Sequence, residues 1–263
     1  MFLAVPADTE ELQREAYRLR YQVYCLEHNF EDPARNRDGL ERDEFDEHSV
    51  QGVLLHRATR TTVGTVRLVL HEPGSSAGCL PFHQVCQDPR AHDRALLPLN
   101  STFELSRFAI SKLYRRRLGD DGADKPSIET ARMIPHITLG LMTVALQIGI
   151  ANGIEYVCAI MEPSMLRLLG RFGFHFSTLG PAVWYHGWRQ PVYANVGSLL
   201  RGVRVERPEI WGIITDRGRL WPARFETTMP VEHQDTTVYS FSRPLAGPRD
   251  SSILEPDSNV RYG

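Results

Sequence analysis

The stretch STFELSRFAIS, residues 101–111, decides the fold, because it opens a regular alternation of strands and helices. Its composition predicts a β-strand. A polar loop follows, and then the strongly apolar ARMIPHITLGLMTVALQIGIANG, residues 131–153, has the length of a helix and ends on Asn152 and Gly153. Because proline is favoured in a first helical turn, Pro135 predicts that this helix begins there.

The alternation continues beyond this helix. IEYVCAIM, residues 154–161, predicts a buried strand inside a mixed or parallel sheet, since it is largely apolar. EPSMLRLLGRFGF, residues 162–174, predicts a short amphipathic helix that begins at Pro163 and ends at Gly173. AVWYHGWRQPVYANV, residues 182–196, supplies a last pair of short strands.

Upstream of residue 101 the chain predicts a helix and a hairpin. Asp8 and Glu11 are spaced as a helix cap, and apolar residues at intervals of three and four predict a helix over about residues 9–27. VQGVLLHRA and TTVGTVRLVLH are two apolar, β-branched runs that predict an antiparallel hairpin. From residue 72 to residue 100 we predict a long, irregular connection.

These elements together predict the fold class and the domain organisation. Their order predicts one α/β domain over residues 1–225, with a mixed central sheet flanked by helices. After about Trp221 apolar residues become scarce. Residues 226–263 are therefore predicted to be a loosely ordered C-terminal extension.

Composition and charge exclude several classes of function. The 263 residues carry a formal net charge of -2, so no overall basic field favours nucleic acid. The N-terminus lacks the pattern of a signal peptide, and no apolar run is expected to reach the roughly 18 to 20 residues of a membrane span. We therefore predict a cytoplasmic protein without a transmembrane segment.

The cysteines favour a reducing compartment. The four cysteines are scattered and form no CxxC pair, which does not suit a disulfide framework. CLPFHQVC, residues 79–86, has one histidine between two cysteines but lacks a second ligand pair at zinc spacing. We predict no metal site.

The acidic stretch DGLERDEFDEHS, residues 38–49, predicts a charge network. We expect Asp43 and Asp46 to face inward and to pair with Arg20 and Arg67, because half-buried charges need partners. Such a network would pin the N-terminal helix and the acidic loop over an amine pocket, or it would be a latch without substrate contact. The remaining carboxylates of the stretch are predicted to be solvated: Glu41, Glu44 and Glu47.

Two resemblances to known families rest on these segments. The strand–helix–strand–helix block, residues 103–174, resembles the core of an acyltransferase of the GNAT type, and MLRLLGRFGF is similar to the late helix of that fold. An ordered set of residue types resembles the acyl-homoserine lactone synthases: Arg20, Tyr24, Phe30, Asp43, Asp46, Arg67, Glu104 and Arg107. Tyr24 and Phe30 stand where that family has Phe and Trp.

Five further segments resemble the N-acyl amino acid synthases and the acyltransferases associated with exosortase systems, over roughly residues 10–200. They are RYQVYCLEHNFE, FELSRFAISK, LGLM, MEPSMLRLLGRFGFHF and LGPAVWYHGWRQP. This resemblance implies a GNAT-like fold and acyl transfer to an amine. It does not identify the amine.

Amide formation from a thioester needs a neutral amine, an oxyanion site and room for the acyl chain. We predict Glu104 and Arg107 as the catalytic residues, with Glu104 as the base on the amine side and backbone donors around Arg107–Ala109 as the oxyanion site. On a regular strand Glu104 and Arg107 would point to opposite faces, and a bulge, which the GNAT resemblance implies, would change that phase. Alternatively, the two residues only form ion pairs within the fold.

Nine residues are predicted to bind substrate: Arg20, Tyr24, Phe30, Asp43, Asp46, Arg67, Phe108, Trp184 and His186. Tyr24 and Phe30 form a pocket wall or part of the core. His186 is a second proton-transfer group or a hydrogen-bonded structural residue. The aromatic residues of the last hairpin line an acyl tunnel or fill the core: Trp184, Tyr185 and Trp188.

The expected acyl donor follows from a missing pattern. An acetyl-CoA enzyme of the GNAT type usually carries a Gly-rich phosphate loop at the start of its long helix. The pattern of that loop is Arg or Gln, any two residues, Gly, any one residue, and then Gly or Ala. Counted from Arg116, the sixth position is Asp121, so this chain does not match the pattern. We therefore predict a thioester on acyl carrier protein as the donor, with acyl-CoA as the alternative, and no other cofactor. Basic residues could dock an acidic carrier or form a solvated basic loop: Lys112, Arg115, Arg116 and Arg117, with Arg167 and Arg171.

The sequence thus predicts an N-acyltransferase that moves a fatty acyl group from acyl carrier protein to the amine of an amino acid or a similar small amine. One alternative is an acyl-homoserine lactone synthase that uses S-adenosylmethionine. Another, from a different class, is a non-catalytic protein that binds an acyl chain or acyl carrier protein.

Overall fold

The computed structural model describes residues 2–71, 80–111, 128–222 and 225, with side chains at all of these positions except 128–132. The described residues form an α/β fold around a mixed sheet of eight strands, which confirms the predicted fold class. Several predictions fall outside the described residues: the extension 226–263, Cys79 and the basic residues Lys112, Arg115, Arg116 and Arg117.

The N-terminal segment is a strand followed by two continuous helices. Strand β1 spans Phe2–Pro6, helix α1 spans Glu10–Arg20, and a π-helix spans Tyr21–Glu27. The two helices confirm the predicted helix, although its cap is Thr9 rather than Asp8, since the Thr9 hydroxyl accepts a hydrogen bond from the N–H of Leu12. Strand β1 was not predicted, because five residues are too few to show a period.

The predicted hairpin is confirmed. It consists of strands β2, Ser49–His56, and β3, Thr62–Val69, which pair antiparallel. Strand β1 joins the free edge of β2, and strand β4, Thr102–Ile110, pairs antiparallel with β3. Apart from Val50, which is half-buried, the valine and leucine side chains of β2 and β3 are buried, so hydrophobic burial stabilises this half of the sheet.

The second half of the sheet begins with β5, Tyr156–Met161, which is the predicted buried strand and runs parallel to β4. The two strands pair only from Thr102 with Tyr156 to Glu104 with Cys158, and beyond these residues they part. The far edge of β5 pairs with a longer antiparallel strand, and two short strands complete the sheet. These are β8, Trp188–Asn195, with β6, Ser177–Thr178, and β7, Val183–Trp184.

Helix α3, Ile128–Ala151, is longer than the sequence predicts. The prediction that it begins at Pro135 is wrong, because a proline two turns into a helix removes one hydrogen bond without ending the helix there. One face of α3 packs onto the sheet through buried apolar side chains: Ile137, Leu141, Val144, Ala145 and Ile148.

Part of helix α3 has the length and apolar composition of a membrane-spanning segment. Residues Met133–Ala151 are long and apolar enough to cross a bilayer, with a mean hydropathy of 1.6. The sequence-based expectation that no apolar run is long enough is therefore wrong. Because the inner face of α3 belongs to the main hydrophobic core, together with side chains of β2, β3 and β5, the segment is accounted for as the core helix of this domain.

The remaining helices are short. Helix α2, Pro81–Val85, lies in the predicted irregular connection. Helix α4, Pro163–Arg171, begins at the predicted proline, and Gly173 follows it with a φ of +84°, as expected of a helix stop. The sequence did not predict the last two helices of the described chain, α5, Val196–Glu206, and α6, Pro208–Ile214.

Gly52 lets α3 lie close to the sheet. A Cβ atom at this position would come within 2.8 Å of a Val144 methyl group, and branched Val144 has little rotameric freedom in a helix. Gly52→Ala should therefore lower the free energy of unfolding by about 1 to 3 kcal/mol in urea denaturation. As a control, Gly170→Ala in α4 meets nothing within 4 Å and should be neutral or stabilising by up to about 1 kcal/mol. Equal stability of the two variants would contradict the close packing.

Candidate active site

A cleft opens where β4 and β5 part. It contains a cavity of about 540 Å³, a size typical of small-molecule sites. The diverging strands supply two of its walls, with residues 104–110 from β4 and Ile160 and Met161 from β5. Helix α4 and the N-terminal segment supply the others: Ser164, Met165, Leu168 and Leu169, and Val23, Tyr24, His28, Phe30 and Glu31.

Strand β4 carries a bulge at the cavity. Thr65 of β3 pairs with Ala109 and Arg67 pairs with Ser106, so that a single β3 residue, Val66, faces both Arg107 and Phe108. Arg107 has a φ of +47°, which is strained for a residue with a side chain. The predicted bulge is therefore confirmed.

The bulge brings Glu104 and Arg107 to the same cavity. The two residues are three apart, and one extra residue in the strand restores the phase that would otherwise place them on opposite faces. Arg107 forms ion pairs with Glu31, Glu41 and Asp43, as the alternative of ion pairing within the fold expects, whereas Glu104 takes part in no ion pair among the described residues. Phe108 also lines the cavity.

Glu104 is buried and its environment favours the neutral acid. Its side chain is 3% exposed, and Oε2 accepts a hydrogen bond of 2.5 Å from the backbone N–H of Phe82 in α2. Burial raises the pKa of Glu104 to about 7, although the Phe82 N–H and the charges of Arg67 and Arg107 act in the opposite direction. A carboxyl group with such a pKa can both take up and release a proton near neutral pH.

A network of buried charges lies beside the cavity, and Arg20 forms its inner half. The guanidinium group is fully buried and donates to Glu41 at 2.5 Å and to both oxygens of Asp46, at 2.6 and 2.9 Å. Burial opposes ionisation of Asp46, but the hydrogen bonds and charge of Arg20 outweigh it and hold the pKa of Asp46 at about 2. The prediction that Asp46 faces inward to Arg20 is confirmed.

The outer half of the network ties β3 and the β4 bulge to the acidic loop. Arg67 donates to Asp43 at 2.5 Å, and Arg107 donates to Asp43 and to Glu41, each at 2.9 Å. Asp43 and Asp46 also form a capping box on the 3₁₀ turn Glu44–His48. The three arginines pair with three carboxylates of the acidic loop, and Arg107 pairs with Glu31 as well, so each buried guanidinium group has a charged partner.

Glu41 corrects the expectation of a solvated side chain. Its residue is 1% exposed, and its carboxylate bridges Arg20 and Arg107. Burial opposes ionisation of Glu41, but the two arginines lower its pKa below the ordinary value. Glu44 and Glu47 are exposed, as predicted.

The predicted substrate-binding residues fall into two groups. Five of them line the cavity: Tyr24, Phe30, Arg67, Phe108 and His186. Arg20, Asp43 and Asp46 do not line it and lie behind Arg67 and Arg107 in the charge network. Their arrangement corresponds to the latch that the sequence analysis gave as the alternative to substrate contact.

Trp184 lies outside the cavity, which contradicts its prediction as a substrate-binding residue. Trp184 is 71% exposed and Trp188 is 55% exposed, so they neither line a tunnel nor fill the core. The physical reason is that β7 and β8 form a hairpin that projects from the sheet edge, and Trp184 pairs with Trp188 across it. Of the three residues predicted to line an acyl tunnel or fill the core, Tyr185 is the one that lines the cavity.

An aromatic wall closes one side of the cavity. The Phe30 ring lies 5.0 Å from the rings of His28 and His186, between centroids, and 6.4 Å from that of Tyr24. Burial lowers the pKa of His186, and although Glu31 acts against this, the neutral imidazole is favoured. His186 is thus placed at the cavity as predicted.

Asp46→Asn tests the charge network. The substitution replaces one of the two carboxylate partners of the buried Arg20 guanidinium with a neutral side chain. The free energy of unfolding should therefore fall by about 3 kcal/mol near pH 7 in urea denaturation. The control Glu47→Gln, on the same turn but exposed, should change it by less than about 0.5 kcal/mol. Because the Asp46 pKa is about 2 in the folded state against an ordinary 3.8, this loss should shrink as pH falls through that window. Similar effects of the two substitutions at neutral pH would contradict the network.

Glu104→Gln tests the environment of the cavity carboxyl group without any substrate. Between its ordinary pKa of 4.5 and the folded value of about 7, the folded protein keeps a proton that the unfolded chain has lost, so stability falls as pH rises. Glutamine does not titrate. The stability of the variant relative to the wild type should therefore rise by about 1.4 kcal/mol per pH unit in this window. A pH-independent difference would show that Glu104 is not perturbed.

Several solved structures share this fold. TofI, whose crystal structure is a ternary complex with an inhibitor and MTA, is 17% identical, with a TM-score of 0.54 over 80% of this chain and 99% of TofI. BjaI, a CoA-dependent acyl-homoserine lactone synthase solved with SAM and isopentyl-CoA, is 23% identical, with a TM-score of 0.52 over 84% of this chain and 89% of BjaI. FeeM, an N-acyl amino acid synthase from uncultured soil microbes, is 15% identical at a TM-score of 0.47 over 77% of this chain and 94% of FeeM. At these identities the first two matches establish the fold alone, and the third adds nothing to it.

Sequence comparison agrees with the fold. The sequence model of the GNAT acetyltransferase domain matches residues 19–123, a span that includes Arg20, the acidic loop and strands β2 to β4. No curated protein sequence matches the chain. The matched span contains Glu104 and the complete charge network, and the fold around it is that of the same domain. Over residues 19–123 the chain is therefore similar to the GNAT acetyltransferase domain, and this match together with the fold supports an acyltransferase.

Proposed function

We propose that this enzyme transfers a fatty acyl group from a thioester on acyl carrier protein to the amine of an amino acid or a similar small amine. The observation that carries the proposal is Glu104, a buried carboxyl group with a pKa of about 7 at the point where β4 and β5 part. A base at that point can take a proton from an amine as it attacks a thioester held in the cleft.

The cavity suits one apolar and one polar reactant. Its inner wall along β5 and α4 is apolar, with Ile160, Met165 and Leu168 among the lining residues, which suits an acyl chain. Its opposite wall holds Glu31, Arg107 and the aromatic rings around Phe30, which suits a small polar molecule with an amine. Glu104 lines the same cavity, and we assign it to the place where the two reactants meet.

The proposed reaction forms an amide bond and breaks a thioester bond. The lone pair of a neutral amine nitrogen attacks the thioester carbonyl carbon, and the carbonyl electrons move onto oxygen. The proton released by nitrogen passes to Glu104, directly or through one water. The oxygen electrons then return, the carbon–sulfur bond breaks, and the thiolate takes up a proton, so that an amide and a free thiol leave.

Stabilisation of the oxyanion should contribute more than the base. Each pH unit of amine deprotonation is worth about 1.4 kcal/mol, whereas one oxyanion donor is typically worth about 3 to 4 kcal/mol. The bulge at Arg107 and Phe108 turns the β4 backbone away from its ladder with β3 beside the cavity. We therefore assign the oxyanion site to backbone donors of Arg107–Ala109, held in place by the ion pairs of Arg107.

Acyl carrier protein remains the proposed donor, on the sequence pattern that fails at Asp121. Docking through Arg115, Arg116 and Arg117 is part of the proposal, and Arg167 and Arg171 on α4 are exposed beside the cleft. We also place the enzyme in the cytoplasm, in keeping with free thiols at Cys25, Cys86 and Cys158. The association with exosortase systems rests on the family resemblance.

Product analysis separates the three functions considered. The purified protein is incubated with acyl carrier proteins of several chain lengths and a panel of amino acids, and thiol release and new amides are measured. Simple N-acyl amide supports the proposal. A lactone with release of methylthioadenosine from S-adenosylmethionine would replace it with an acyl-homoserine lactone synthase. Carrier binding without thiol release would replace it with a non-catalytic binding protein.

The pH dependence of kcat/KM tests the role of Glu104. A lost general base should lower the rate by about 100-fold or more in Glu104→Gln. Because an amine substrate also loses a proton as pH rises, the informative quantity is the ratio of wild-type to variant rates. This ratio should rise about tenfold per unit up to the Glu104 pKa of about 7 and stay constant above it.

Glu44→Gln serves as the matched control, because Glu44 is exposed on the neighbouring turn. It should retain the wild-type rate and pH profile. A wild-type rate in Glu104→Gln would remove Glu104 from the mechanism, and a ratio that does not vary with pH would show that it acts without titrating.

A further inference from the structure

The tip of the β7–β8 hairpin exposes two tryptophans side by side. Trp184 and Trp188 are 71% and 55% exposed, and their rings meet edge to face with centroids 5.6 Å apart. Between them in the chain, Tyr185 is 38% exposed. Large aromatic side chains grouped on the outside of a soluble domain mark a contact surface, since burying them in the protein would be favourable.

The hairpin holds this pair in a defined position. Trp184 and Trp188 are paired residues of the two strands, and the turn between them is closed by a hydrogen bond of 2.9 Å from the Tyr185 N–H to the Gly187 carbonyl. His186 and Gly187 have φ values of +51° and +103°. Arg189 donates to the His186 carbonyl at 2.9 Å, which fixes the turn to β8.

The exposed pair adjoins, in the chain, two residues that line the cavity. Tyr185 and His186 line the cavity, while the tryptophans on either side of them face outward. His186 also packs on Phe30 at 5.0 Å between ring centroids, which joins the hairpin tip to the aromatic wall. An apolar molecule that leaves the cavity past this rim would therefore reach the tryptophan pair first.

The chemistry of the surface favours lipid over an acidic protein. Arg189, the cation at the base of the hairpin, forms an ion pair of 2.8 Å with Glu162, so this base carries no net charge. Indole rings prefer the interface of a bilayer, where the ring lies among acyl chains and the N–H meets water and headgroups. An acidic partner would instead require exposed cations on the tip.

We propose that the β7–β8 hairpin is a membrane anchor that inserts Trp184 and Trp188 into the headgroup region of a phospholipid bilayer. The mouth of the cavity then faces the lipid surface. Two side chains give weak, reversible binding, comparable to that of a single lipid anchor and far from that of a spanning helix. Insertion depends on apolar contact, so it does not require anionic lipid.

Vesicle sedimentation tests the proposal with the full-length chain and no substrate. Vesicles of phosphatidylcholine alone, and vesicles with equal parts of phosphatidylcholine and phosphatidylglycerol, are each mixed with the protein at low and high salt. The wild type should sediment with both, with little effect of salt. Trp184→Ser combined with Trp188→Ser should bind about tenfold more weakly or worse.

Val205→Ser combined with Ile213→Ser is the matched control. These residues are 83% and 58% exposed on α5 and α6, so the double variant removes a similar number of exposed apolar side chains elsewhere. It should bind vesicles as the wild type does. Lipids brominated in the acyl chains should quench the tryptophan fluorescence of the wild type. The hairpin variant still fluoresces through Trp211 and Trp221, and this fluorescence should be quenched far less.

Three outcomes would overturn the anchor. One is a wild type that sediments with neither vesicle, and another is a hairpin variant that binds as well as the wild type. The third is binding that needs phosphatidylglycerol and is lost in salt, which would assign the contact to cationic residues. If the hairpin variant loses acyl carrier protein binding while the wild type ignores vesicles, the surface belongs to the carrier. None of these results depends on which amide the enzyme makes.

Discussion

The burial of three guanidinium groups is the constraint on which the site depends. An unpaired buried charge costs several kcal/mol, so Arg20, Arg67 and Arg107 can be buried only if carboxylates come to them. Those carboxylates arrive on one short loop, which must therefore fold back against helix α1, strand β3 and the β4 bulge. The cavity wall that contains Arg67 and Arg107 is thus held in place by the pairing of these charges.

The surroundings of the cavity shift the pKa values of two carboxyl groups in opposite directions. Asp46 makes two hydrogen bonds to Arg20, and its pKa falls to about 2, whereas Glu104 has one backbone donor and lies farther from the arginines, and its pKa rises to about 7. Burial acts on both, and the number of charged partners decides the result. The domain can therefore hold a latch that stays ionised near neutral pH next to a group that titrates there.

Much of this arrangement could be predicted from sequence, for identifiable reasons. The hairpin, β4, β5 and α4 have strong apolar periods or clear caps, and two inward aspartates were expected because two arginines needed partners. Counting Arg107 as a third buried cation would also have pointed to Glu41. The Phe82 N–H could not be found in this way, because a backbone donor leaves no trace in residue type. Trp184 was misplaced because composition does not distinguish a projecting hairpin from a core strand.

The brief pairing of β4 with β5 has a consequence for the mechanics of the domain. Three residue pairs form a seam between two half-sheets, β1 to β4 on one side and β5 to β8 on the other. A molecule that fills the cleft beyond that seam would contact both halves at once, because residues of β4 and β5 line the same cavity. Ligand binding and the cohesion of the sheet would thereby be linked, because a ligand that binds only the folded state stabilises that state.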